Sequence, residues 1–147
     1  MKRKDNNGFS LVELMIVIAI MAILVAIIAP NLTKYLGKSK KNTDKKNADE
    51  IAAQLHNCIT DYEAEYDRGL LDSYPGSITV SWDPSLLYHT TPVNADFDKI
   101  INQIVTVETE SKEVPDDYAK ATITSKGDEL GAGYTIKVEV GNTVVTK

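Results

Sequence analysis

The chain has 147 residues, 43% of them hydrophobic, and a formal net charge of −5, a size that suits one folded domain plus an anchor. Its single cysteine, Cys58, excludes an intrachain disulfide, and the acidic balance disfavours binding to nucleic-acid phosphates. The charge is unevenly placed. Residues 34–46 hold six lysines against Asp44 alone, while residues 47–147 hold eighteen acids against seven bases.

The first element follows a basic leader, Met1-Lys2-Arg3-Lys4. Between residues 9 and 29 the only ionisable side chain is Glu13. At 1.5 Å per residue that run makes a helix of about 32 Å, enough to cross the hydrocarbon core of a bilayer, about 30 Å thick. A carboxylate within such a helix costs about 2.5–3.5 kcal/mol on insertion scales, so Glu13 either reaches the headgroups from near the helix end or has a partner. An ordinary secretory signal fits poorly. Ile27-Ile28-Ala29 lacks the small-x-small cleavage pattern, and Pro30 would follow the cut.

Pro30 removes one helical hydrogen bond and crowds the preceding turn, which predicts a kink rather than a stop. Beyond it, residues 34–46 form a basic collar. Such a run is most often a solvated helix face or a lipid-headgroup contact; the sharper reading sets the collar of one copy of the chain beside acidic regions of other copies. Ala48, Ile51, Ala52, Leu55, Cys58, Ile59 and Tyr62 recur at steps of three and four, an apolar stripe on one helix face. Gly69 is the expected C-cap. A helix over residues 9–68 would be about 90 Å long, with its second half the spine of a globular head.

The remainder reads as loop, then sheet. Tyr74-Pro75-Gly76 is a turn, Ile78, Val80 and Trp82 alternate as a strand, and Asp83-Pro84 ends it. Phe97, Ile100, Ile101 and Ile104 have helical spacing, but Ile104-Val105-Thr106-Val107 is strand-like, so that segment stays open between the two. Residues 121–125 supply one strand. Tyr134, Ile136, Val138 and Val140 alternate through another, and Gly141-Asn142 is a hairpin signal before residues 143–146. The predicted fold is α+β: a long amino-terminal helix, half transmembrane and half amphipathic, packed on a small antiparallel sheet.

Chemistry-bearing motifs are sparse. Cys58 lies in the apolar stripe as a small core residue, and His56 and His89 have no ligand spacing around them. Asp116-Asp117 and Asp128-Glu129 are the acidic pairs with a chemistry suited to calcium, although acidic loop residues are usually just solvated. No phosphate loop or nucleophile elbow is present, so neither a catalytic residue nor a metal or other cofactor is expected.

Gly8-Phe9-Ser10-Leu11-Val12-Glu13-Leu14, preceded by Met1-Lys2-Arg3-Lys4 and closed downstream by Pro30, resembles the amino terminus of type IV prepilins and pseudopilins. The resemblance implies cleavage between Gly8 and Phe9 by a prepilin peptidase and N-methylation of Phe9. It also implies pairing of Glu13 with the amino terminus of a neighbouring subunit, which would supply the missing partner. One departure is Ala22, where many pilins have glycine. Alanine is the better helix former by about 1 kcal/mol, which weighs against unwinding between it and Pro30.

The implied organisation is a leader over residues 1–8, a transmembrane and filament-core helix over 9–29, its amphipathic continuation over 30–68, and loop and sheet over 69–147. The implied function is structural, not enzymatic: a type IV pilus subunit polymerised into a surface filament for adhesion or motility. A pseudopilin of a type II secretion or DNA-uptake machine is the alternative, and a membrane-anchored binding domain that never polymerises is the third. Implied partners are copies of the chain, minor pilins, the prepilin peptidase, the assembly platform and its ATPase, and membrane lipids before assembly. Lysines flank the apolar run on both sides, so the positive-inside rule does not orient it. The resemblance does, placing a single-pass precursor in the cytoplasmic membrane and the assembled filament on the cell surface.

Overall fold

A computed structural model describes residues 9–72, 76–82, 88–107, 109–126 and 133–147. Gly8, Tyr74, Pro75, Asp83, Pro84, Asp128 and Glu129, and the His89 side chain, lie outside the described residues. The chain divides into two compact units, one up to Lys38 and one from Ser39 to Lys147. Helix α1, Leu11–Tyr66, contributes to both.

In the first unit α1 is an exposed apolar helix. Leu11, Leu14, Ile18, Leu24, Ile28 and Leu32 all stand half or more exposed. The helix is long and apolar enough to cross a membrane by length and composition. It continues through Pro30, and side chains bond carbonyls around the proline: the Asn31 amide donates to the Ile27 carbonyl at 3.4 Å and the Thr33 hydroxyl to the Pro30 carbonyl at 3.1 Å.

In the second unit the expected stripe is the helix's buried face: Ala48, Ile51, Ala52, Leu55, Cys58, Ile59 and Tyr62 are each at most 2% exposed. Burying an isoleucine or leucine side chain contributes about 1.5–3 kcal/mol, so this face binds α1 firmly into the core. Against it lies a five-stranded antiparallel sheet in the order β2-β1-β3-β4-β5, made of β1 Ser77–Trp82, β2 Tyr88–Thr91, β3 Lys120–Ser125, β4 Tyr134–Val140 and β5 Thr143–Thr146. Register follows the pleat. Ile78, Ile123 and Ile136 form one row across three strands, and Val80, Ala121, Val138 and Val145 a second. The α+β fold predicted from the pattern is the fold observed.

Three local features differ from or refine the sequence reading. The helix ends at Tyr66, and Asp67 rather than Gly69 takes the left-handed conformation, with φ 49°. Gly69 instead opens the following turn, donating its N–H to the Asp72 carboxylate at 2.7 Å. The open segment near residue 100 is a helix, α2, Ala95–Ile104, because the Asn94 side chain caps the Phe97 N–H at 3.1 Å and Phe97, Ile100 and Ile101 share a buried face. Val105 then turns extended, which stops the helix before the β-branched run.

Strand β2 has no signal in the sequence, since Tyr-His-Thr-Thr has no apolar alternation. Polar contacts position it. The Thr90 N–H donates to the Asp98 carboxylate at 3.1 Å, and the buried Thr90 hydroxyl accepts from the Asn94 N–H at 2.8 Å.

Candidate functional site

The start of α1 is a closed cap. Ser10 Oγ accepts the Val12 N–H at 3.3 Å, and Glu13 Oε2 accepts the Ser10 N–H at 2.9 Å. The Ser10-x-x-Glu13 spacing is a capping-box signature, formed here with the serine hydroxyl on the Val12 N–H, one position before that of Glu13. Glu13 therefore has a first partner within its own chain: one carboxylate oxygen answers a helix-end amide and sits where the helix dipole favours negative charge. Its other oxygen, Oε1, has no hydrogen-bond partner among the described residues. Phe9 precedes the cap and is 85% exposed; Gly8 falls outside the description.

The structure thus places Phe9, Ser10 and Glu13 together at one helix end, with the exposed apolar side chains of residues 11–36 following. Pro30 lies far along the same helix and does not join this cluster. Ala22 lies inside the uninterrupted α1.

The basic collar is altered by one residue. Asp44, counted in the sequence as a charge offsetting the lysines, is fully buried. Its Oδ2 accepts the Ser111 hydroxyl at 2.7 Å and the Glu113 N–H at 3.0 Å, and its Oδ1 accepts the Lys112 N–H at 2.7 Å. Ser111 Oγ in turn accepts the Glu113 and Val114 N–H groups at 3.1 and 2.9 Å. The carboxylate is consumed inside the fold, where it ties the loop after α2 to α1. All six collar lysines remain exposed.

A second tie joins helix and sheet: the Tyr134 hydroxyl donates to Glu63 Oε1 and accepts the Leu70 N–H at 3.1 Å. Burial and the adjacent Glu63 carboxylate hold the Tyr134 phenol well above its ordinary pKa. Cys58 lies in the core, its thiol pushed up to about 12, first by burial and then by the Asp61 charge. His56 is exposed, and no group of three or more histidine, cysteine, aspartate or glutamate side chains suited to a metal occurs among the described residues.

Comparison with known proteins points to the same helix end. The prokaryotic N-terminal methylation motif matches residues 3–29. The chain is 44% identical over 50 residues to prepilin peptidase-dependent protein A of Clostridium perfringens, covering 34% of this chain and 36% of that one. It is 52% identical over 42 residues to the type IV major pilin protein PilA of Myxococcus xanthus, covering 29% and 19%. It is 34% identical over 68 residues to the type II secretion system core protein G of Aeromonas hydrophila, covering 46% and 45%. The matched segments span less than half the length of each of these relatives. No solved structure gives a significant match. Through its amino-terminal methylation motif, the chain resembles the type IV pilin and pseudopilin family.

Proposed function

We propose that the chain is a pilin-like filament subunit: a single-pass membrane precursor cut between Gly8 and Phe9, methylated at Phe9, and polymerised through its apolar helix into a surface filament serving adhesion or motility. The observation that carries this is the pairing of an exposed apolar helix with one carboxylate at its start, inside a segment that matches the methylation motif. In lipid the apolar side chains are solvated by acyl chains. Out of lipid they need other helices of the same kind, and a bundle of such helices supplies them.

Glu13 gives that bundle a polar contact. Cleavage after Gly8 would expose a new amine at Phe9, and the carboxylate of a neighbouring chain can take it through Oε1 while Oε2 keeps its own Ser10 N–H. An amine and a carboxylate in a low-dielectric helix bundle attract strongly, and their pairing offsets part of the cost of taking both out of water. Copies of the chain, minor pilins, the prepilin peptidase and an assembly platform with its ATPase are the expected partners.

The match to secretion core protein G spans more residues than that to PilA, which favours a pseudopilin as the second reading. Sheared surface filaments dominated by this protein support the pilin; their absence with normal processing supports the pseudopilin. Intact-mass measurement of the protein from cells tests both, with residues 1–8 missing and one methyl group added as the expected result. A mature species that begins at Met1 refutes both and leaves a membrane-anchored domain.

A further inference from the structure

In its second-unit part, helix α1 carries two exposed like-charged pairs of opposite sign, Lys41 with Lys45 and Asp61 with Glu65; Lys34 with Lys38 is a further basic pair in the first unit. Each is spaced i, i+4, where like charges destabilise an isolated helix by about 0.2–0.5 kcal/mol. Among the described residues, the opposite charges nearest to them along α1 and just after it are engaged elsewhere. Asp44 is buried on the Ser111 loop, Asp49 pairs with Lys147 at 3.1 Å, Glu50 with Lys46 at 3.5 Å, and Arg68 with Asp96 at 3.5 Å. None of the four residues makes an ion pair among the described residues.

The two pairs are related by one shift. Asp61 follows Lys41, and Glu65 follows Lys45, by twenty positions in both cases. In an α-helix that shift is a rise of about 30 Å and a turn of about 200°, so the pairs lie on opposite flanks of the buried stripe. One chain cannot bring them together. A two-fold dimer fails as well, since its contact uses the same face of both partners. A parallel neighbour displaced by about 30 Å satisfies all four charges, leaves one free patch at each end, and repeats without closing.

We infer that Lys41 and Lys45 of one chain dock against Asp61 and Glu65 of a second, parallel copy displaced by about 30 Å along the helix. The inference rests on the filament reading and adds to it a specific side-to-side contact and its stagger. An anionic lipid surface would answer the lysines alone and leave Asp61 and Glu65 uncompensated. A second copy answers both.

The test uses the full-length, processed protein in producing cells. Chains carrying Lys45→Cys and chains carrying Glu65→Cys, produced together, should be joined by a short bismaleimide, whereas Lys45→Cys with Asn57→Cys, on the exposed helix face, should not. Native Cys58 is buried and does not interfere. In parallel, Lys41→Glu with Lys45→Glu, or Asp61→Lys with Glu65→Lys, should each lower assembled protein about tenfold, and all four together should restore it to within about twofold. Each reversal keeps the like-charge spacing, so helix content should be unchanged.

Crosslinking without filaments keeps the contact and sinks the filament reading. Filaments with neither crosslink nor charge sensitivity sink the contact and leave the filament reading intact. Loss of assembly on lysine reversal that the four-fold swap fails to restore also overturns the contact and points to lipid at the collar. Absence of both crosslinks and filaments overturns contact and filament reading together.

Discussion

Asp44 has three hydrogen-bond donors on its carboxylate and none of its surface in water. Replacing it by asparagine keeps the shape but removes one acceptor oxygen and turns an amide donor toward N–H groups that need acceptors. A buried donor left unmet costs about 1–3 kcal/mol. Asp44→Asn is therefore expected to lower stability by about 2–3 kcal/mol in urea titration of the detergent-solubilised chain. Lys46→Ala, which breaks only an exposed pair, should cost about 0–1 kcal/mol. Equal small effects from both would show that the loop finds other acceptors. Nothing local in the sequence marks Asp44 as different from a surface acid. Its partners are 67–69 residues away. Gly141 is set by the same loop, since with φ 56° a Cβ there would stand 2.3 Å from Ser111 Oγ.

The amino-terminal cap of α1 and the proposed assembly contact share Glu13, and the two roles can be separated. Glutamine keeps a side-chain oxygen for the Ser10 N–H but carries no charge for a neighbour's amine. Glu13→Gln is accordingly expected to insert and be cleaved normally while filament yield, measured as sheared filaments against processed protein, falls nearly as far as in Glu13→Ala, which loses the cap as well as the charge. Ser10→Ala removes only the hydroxyl half of the cap and leaves the Glu13 contact to the backbone N–H, costs about 1 kcal/mol of helix stability, and should leave filament yield the less affected. If Glu13→Gln assembles like the wild type, the carboxylate acts by capping and not by charge. Apolar spacing alone left α2 open between helix and strand, and the Asn94 cap on the Phe97 N–H decides it. Local signals did not suffice for β2, where the strand follows from Thr90 bonding to Asp98 and Asn94 across a turn.

Across the second unit, α1, α2 and the sheet share one core, and Cys58 sits within it. Its raised thiol means the folded state favours the protonated form, so its contribution to stability is fully present below the unfolded thiol value of about 8.5 and is lost as pH rises toward about 12. At pH about 8.5, iodoacetamide should label Cys58 only as fast as the unit unfolds, with labelling accelerated by urea in step with loss of helix signal. Rapid labelling of the native protein would mean the core opens locally at α1. The sequence by itself determined the apolar helix, its amphipathic continuation and four of the five strands, because hydrophobic period and turn residues are short-range properties that burial then satisfies. It also carried the amino-terminal motif and the Ser10–Glu13 cap, which are contiguous. Only the tertiary structure decided which acid leaves the surface, how β2 joins the sheet, and which charges along α1 remain unpaired. Each of these depends on residues brought together from distant positions, where a carboxylate's partner is chosen by packing and not by its neighbours in the chain.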